Sequence, residues 1–159
     1  MTTPRQTAFI SGHTQITEEE FEAHYRGKLD EAIRQGHRFV AGDAPGVDTG
    51  AVRYLLMRGV PPQDITVYTY RKTDPVQELA KVGITQVTIM PGPWSSYTQR
   101  DAQMTEDSDY DIAWVRSVEE SRIMYGAKFD PKRKSGTERN LVRRAKKQAP
   151  PTGTTTPNP

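Results

Sequence analysis

Phe39-Val40-Ala41-Gly42-Asp43-Ala44-Pro45-Gly46-Val47-Asp48-Thr49-Gly50-Ala51-Val52-Arg53-Tyr54-Leu55-Leu56 runs from an apolar segment, through two turn glycines, into a helical pattern that starts near Asp48. A strand, a glycine-bearing turn and a helix N-terminus in that order make an anion site. Glycine lets the backbone approach a ligand closely, and the first-turn N–H groups of a helix lack an intrahelical partner. The same pattern also serves as a plain strand-to-helix connection, so the neighbouring segments have to decide between the two readings.

Upstream, Thr7-Ala8-Phe9-Ile10-Ser11 reads as a first strand with a polar exit at Gly12-His13-Thr14. Thr17-Glu18-Glu19-Glu20 fits a capping box, and Ile16 is placed to staple onto Phe21. Phe21, Tyr25, Leu29 and Ile33 recur every four residues as one buried helical stripe, closed by Gly36. Arg38 to Ala41 is the second strand. The helix that follows ends at Gly59, before Pro61-Pro62.

Downstream, residues 65–70 form a third strand and residues 75–81 a short helix ended by Gly83. Residues 86–90 form a fourth strand, residues 97–107 a helix and residues 110–115 a fifth strand. Residues 117–134 are partly helical, and residues 137–147 form a final helix. Strands that alternate with helices predict an α/β fold, with a mostly parallel five-stranded sheet covered on both faces. The domain spans residues 1–148, and residues 149–159 read as a disordered tail rich in Pro and Thr.

Bulk properties narrow the classes. A chain of 159 residues suits one domain with a real core, and its 34% apolar content keeps that core small. The sequence has no apolar run of the roughly 18–20 residues a membrane span needs, and the first six residues lack the apolar core of a signal peptide, so a cytoplasmic location is expected. Without cysteine, disulfides and thiolate metal sites are excluded. His13, His24 and His37 fall in different elements and lack metal-ligand spacing, so neither a metal nor a resident cofactor is expected. The net charge of +2 hides an acidic stretch at 17–31 and a basic one at 128–147. The basic end suits phosphate. It suits nucleic acid less well, because no aromatic platform is interleaved with it.

Ile10-Ser11-Gly12, the Gly42-Asp43-Ala44-Pro45-Gly46-Val47-Asp48 loop and the Arg100-Asp101-Ala102-Gln103-Met104…Ser108-Asp109 segment lie in that order along the chain. Together they resemble the SLOG superfamily of Rossmann-like nucleotide-binding proteins, which includes the LOG phosphoribohydrolases and the DNA-processing protein that loads single strands. The first resembles the family's phosphate-side loop, the second its "GGAxGxD" loop with Asp43 for the second glycine, and the third its "R(K/N/D)xxM…SD" segment. The resemblance covers about residues 8–116. It implies a Rossmann-like three-layer sandwich, a nucleotide-type small molecule as ligand, and a homo-oligomer. LOG enzymes carry "PGGxGTxxE" directly after the last core strand. Here Ser135-Gly136-Thr137-Glu138-Arg139-Asn140 comes some twenty residues later, with Asn140 in the place of the glutamate.

The candidate residues follow from that ligand. Gly12, Gly42, Gly46, Gly136 and Thr137 would donate to phosphate, with Ser11, Ala44 and Ser135 beside them. Arg100 or Arg139 would add bidentate contacts. Asp43 or Asp48 would accept from ribose hydroxyls, although Asp48 also suits a helix N-cap. Trp94, in a Pro-Gly-Pro loop, is the candidate for base stacking, whereas Trp114 belongs to the core. Cleavage of an N-glycosidic bond needs a carboxylate near the ribose, and Glu119 and Glu120, just beyond strand five, are the candidates. The leading expectation is binding of a nucleoside monophosphate or an ADP-ribose-like metabolite at the C-terminal edge of the sheet, with or without hydrolysis. The alternatives are a non-catalytic sensor and a single-stranded nucleic-acid module.

Overall fold

The apolar run Ala8-Phe9-Ile10 is buried on both sides, as a central strand of a parallel sheet must be. In the computed structural model, which describes residues 4–70 and 74–149, it belongs to β1 (Thr7–Ser11). The other strands are β2 (Arg38–Gly42), β3 (Ile65–Thr69), β4 (Thr88–Pro91) and β5 (Tyr110–Ala113). All pairings are parallel, in the order β4-β3-β2-β1-β5. The chain builds outward from β1 to β4 and then crosses back to place β5 on the other side of β1. The topological switch point therefore lies between β1 and β5, and in open α/β sheets the ligand crevice forms beyond the carboxyl ends of such strands.

Helices cover both faces. On one side lie α1 (Glu18–Phe21), a π-helical turn (Glu22–Arg26) and α2 (Gly27–Arg34), followed by α3 (Val47–Met57) and α4 (Pro75–Lys81). Tyr25, Leu29, Val47, Val52 and Leu55 from these helices pack on Ala8, Ile10, Ala41, Val67 and Ile112. On the other side, α5 (Tyr97–Glu106) seats Met104 on Phe9, Val40 and Tyr68. Beside it lies α7 (Gly136–Gln148), anchored by the buried Arg144, which donates to the Ser108 carbonyl (3.0 Å), Ser108 Oγ (2.6 Å) and Asp111 Oδ1 (3.1 Å). Between β5 and α7 come α6 (Val118–Tyr125) and a 3-10 turn (Gly126–Lys128). Among the described residues, no helix is long and apolar enough to cross a membrane.

The Thr17 capping box forms, with Thr17 Oγ1 accepting from Glu20 N (3.1 Å) and Glu20 Oε1 from Thr17 N (3.0 Å). Gly36 closes the helix at φ +71°. The π turn has a physical cause in the four-residue stripe. Each step of four residues overshoots a full α-turn by about 40°, so Phe21, Tyr25, Leu29 and Ile33 would spiral off one face. One wider turn resets the phase and keeps Tyr25 and Leu29 buried together.

Two expectations change at β5. The strand stops at Ala113, not Val115, because the Tyr25 hydroxyl occupies the next rung. It donates to the Ser11 carbonyl (2.8 Å) and accepts from Trp114 N (3.0 Å). Trp114 consequently lies past the strand and is only half-buried, stacked on His24 at 3.9 Å. A phenol thus wedges β1 and β5 apart at the switch point. Tyr25→Phe leaves both backbone groups without that partner and is expected to lower stability by about 2 kcal/mol in urea unfolding. A loss below 0.5 kcal/mol, on the same scale, would mean that the two strands close on each other instead.

The fourth strand also begins later than expected, at Thr88, and the final helix begins at Gly136. Apart from the exposed Ala149, the tail expected over 149–159 lies outside the described residues.

Candidate functional site

A cavity of about 1680 Å³ opens at the carboxyl ends of β1, β2, β3 and β5. It gathers most of the candidates. Ser11 and Gly12 come from the β1 exit, and Asp43, Ala44 and Asp48 from the β2 exit and the start of α3. Arg100 projects from α5, and Ser135, Gly136 and Thr137 open α7. Gly42, Gly46, Trp94, Glu119, Glu120 and Arg139 lie outside its lining.

Each exclusion has a local reason. Gly46 is the N-cap of α3, at φ 84° and ψ −123°. A Cβ there would overlap the backbone carbonyl of His13, and the Val47 N–H already donates to that carbonyl at 3.1 Å. Gly46 therefore fits the α3 start against the β1 loop. Gly46→Ala is expected to cost about 3 kcal/mol, combining positive-φ strain with backbone overlap, measured as a shift in the urea midpoint. At Gly42, a Cβ would sit 2.6 Å from Arg100 Nη2 and from Asp48 Oδ2, so the space that glycine leaves is filled by those side chains. Gly12 lines the cavity but is also packed, against Tyr25 and Val47.

Trp94 stacks on Tyr68 (5.6 Å between centroids) and closes the small second core. Arg139 is exposed on α7. Ser117 caps α6, with Glu120 as its capping-box partner: Ser117 N donates to Glu120 Oε1 (2.9 Å) and Glu120 N to Ser117 Oγ (3.0 Å). The cap N–H holds the Glu120 carboxyl below the usual carboxylate range, and Glu119 is exposed beside it. Neither glutamate faces the cavity.

Inside the cavity, Arg100 is 5% exposed and is the hub of a carboxylate cluster. Its Nη1 donates to Asp43 Oδ1 (2.7 Å), its Nε and Nη2 to Asp101 Oδ1 (3.1 and 3.0 Å), and its guanidinium lies 4.9 Å from the Tyr97 ring centre. Asp48 completes the cluster. It is the second residue of α3 and not its N-cap, and its Oδ2 has only a long contact from Ala44 N (3.4 Å). Burial pushes its carboxyl up to about 7; Arg100 pulls it down, while Asp101 and Asp43 push it up further. Among the described residues, no group of three or more His, Cys, Asp or Glu is placed to hold a metal ion.

A second hub went unmarked as a site residue in the sequence. Arg116, immediately beyond β5, is 4% exposed and grips Glu20 in bidentate fashion (Nε–Oε2 2.7 Å, Nη2–Oε1 2.7 Å). Its Nη2 also donates to the Gln15 carbonyl (2.5 Å), and its backbone N–H to His13 Nε2 (3.0 Å). His13 therefore carries its proton on Nδ1, and burial lowers its pKa. The Arg116 hydrogen bonds hold the Glu20 carboxyl down at about 2. The only sequence signal for Arg116 was its place after the last strand.

Among the described residues, three that line the cavity carry a buried polar atom without a hydrogen-bond partner: Ser11 Oγ, Thr69 Oγ1 and Arg116 Nη1. Buried polar groups are normally satisfied, so these three are exceptions that share one cavity wall, and each would have to turn outward to meet a ligand's polar atom. Comparison with protein-family models, curated proteins and solved structures returned no match to this chain.

Proposed function

We propose that this protein binds a nucleotide or nucleotide-derived metabolite in the cavity at the switch point between β1 and β5. The observation that carries this reading is that Ser11, Thr69 and Arg116, each with a buried polar atom lacking a hydrogen-bond partner among the described residues, all line that one cavity. Carboxylates of Asp43 and Asp101 on the same wall suit the hydroxyls of a sugar, since a carboxylate only accepts hydrogen bonds. The order of motifs that resembles the SLOG superfamily points to the same ligand class.

Binding without hydrolysis is the reading favoured here. Glu120 spends its carboxylate on the α6 cap, and Glu119 stands outside the cavity. The nucleic-acid reading loses ground because two cations of the basic segment have structural work. Arg144 anchors α7, and Lys147 Nζ donates to the Thr105 (3.1 Å) and Glu106 (3.0 Å) carbonyls at the end of α5.

The test is a thermal-shift series with AMP, ADP, ADP-ribose, NAD and a short single-stranded DNA, each mixture then chromatographed for free base. A nucleotide at a hundredfold excess over its Kd should stabilise the fold by about 2.7 kcal/mol, with no base released. No response to any nucleotide would refute the proposal. Free base would shift the reading to a hydrolase, with Asp48 as the carboxylate to replace first.

A further inference from the structure

Residues 127–138 line the cavity without interruption, so the segment that joins α6 to α7 lies along its mouth as a strap. The strap is internally ordered. Phe129 N donates to the Gly126 carbonyl (3.0 Å), and Arg133 N to the Asp130 carbonyl (3.2 Å). The Asp130 carboxylate is occupied by Lys132 N (2.9 Å). The strap carries Lys128, Lys132, Arg133 and Lys134 along the lining, and none of these four side chains has an ion-pair or hydrogen-bond partner among the described residues.

The opposite wall has the reverse charge. Asp43, Asp48 and Asp101 surround a single Arg100, and Arg116 is already neutralised by Glu20. An anion is disfavoured there and favoured on the strap. The cavity thus offers hydrogen-bond acceptors at one end and unpaired cations at the other. A phosphate monoester carries nearly two charges, and two cations would neutralise it; four cations in seven residues suit a pyrophosphate. The volume of about 1680 Å³ also exceeds the roughly 300–1,000 Å³ of an ordinary small-molecule site. At Gly136, where α7 starts, nothing lies within 4 Å of where a Cβ would stand, so the strap end is open to a ligand.

Resting on the nucleotide reading above, we propose that the ligand carries two or more linked phosphates, which Lys128, Lys132, Arg133 and Lys134 hold, while its sugar hydroxyls meet Asp43 and Asp101. The strap makes the protein selective for a diphosphate over a monophosphate.

Isothermal titration of the full chain with phosphate, pyrophosphate, AMP, ADP and a short single-stranded DNA tests this, in wild type and in the K128Q/K132Q/R133Q/K134Q variant. These side chains are exposed, so the variant should keep its far-UV spectrum and melting temperature. The expected result is that wild type binds ADP at least about tenfold tighter than AMP, and pyrophosphate tighter than phosphate, with a steeper salt dependence for the diphosphates. The variant should lose both preferences, its ADP affinity falling about tenfold further than its AMP affinity. Equal affinity for AMP and ADP, or a preference that survives in the variant, overturns the strap's role and leaves the nucleotide reading standing. Strap-dependent pyrophosphate binding without any nucleotide binding overturns the nucleoside half and supports the strap. Strap-dependent binding of single-stranded DNA with no response to pyrophosphate overturns the proposal.

Discussion

Arg116→Ala is expected to destabilise the protein by about 4 kcal/mol. The guanidinium is almost wholly buried, and it ties Glu20 of α1, the Gln15 carbonyl and the stretch after β5 into one unit. Its removal leaves the Glu20 carboxylate with its capping-box bond but without its counter-charge, and leaves the Gln15 carbonyl without that donor. The cost comes mainly from the stranded partner, not from the pair itself, which predicts a particular rescue. Glu20→Gln keeps the capping geometry while removing the negative charge. Arg116→Met with Glu20→Gln should therefore recover more than half of the loss, in a double-mutant cycle read by urea unfolding. A single-variant loss below about 1 kcal/mol would show that water reaches the pair and screens it.

Asp48→Asn is expected to stabilise the protein at alkaline pH by about 4 kcal/mol, with the gain shrinking to near zero around pH 4. Burial raises the Asp48 carboxyl to about 7, above its ordinary value of 3.8. Between those two values the native state holds a proton that the unfolded chain releases. The native state then binds more protons than the unfolded one, so stability falls as pH rises through this window and levels off above it. Asparagine cannot ionise, and its amide oxygen can still accept from Ala44 N, so the variant should lose this part of the slope. Arg100 keeps Asp43 and Asp101 as partners in the variant. Urea midpoints at pH 4, 6 and 8.5 give the answer. Parallel curves for the two proteins would place the Asp48 titration below the tested window and refute the assignment.

The difference between Asp48 and Asp43 shows where sequence reading stops. Asp43 lies in the loop after β2 and Asp48 in the first turn of α3, and both reach the cavity, as their position after β2 implied. Only the α3 start, displaced one residue from the expected position, makes Asp48 a buried acid and leaves Gly46 as the cap. Strand and helix order were legible because apolar runs and glycine stops are local signals. The five-strand parallel sheet follows from their alternation. Arg116 and Thr69 carry no local signal of burial, because what surrounds them comes from segments distant in the chain. Glu120 misled for the opposite reason: its capping-box partner Ser117 stands three residues before it, and the carboxyl pair was read for chemistry when the local pattern already accounted for half of it. The basic C-terminal segment divided in the same way, into anchors such as Arg144 and free cations on the strap, according to contacts that composition does not record.

The π turn at Glu22–Arg26 has a consequence for changes in chain length. It is the shape an inserted residue takes when a helix has to keep its contacts at both ends. Upstream, Thr17 and Glu20 fix the cap and the Arg116 pair; downstream, Leu29 is locked in the core. Deleting one residue within the turn would return it to regular α-helix with both ends still in register, whereas a deletion elsewhere along the helix would rotate one half against the other by about 100°. The helix could then seat its cap or its core face, but not both. The helix should therefore tolerate the loss of one residue at this turn better than the loss of one anywhere else along it.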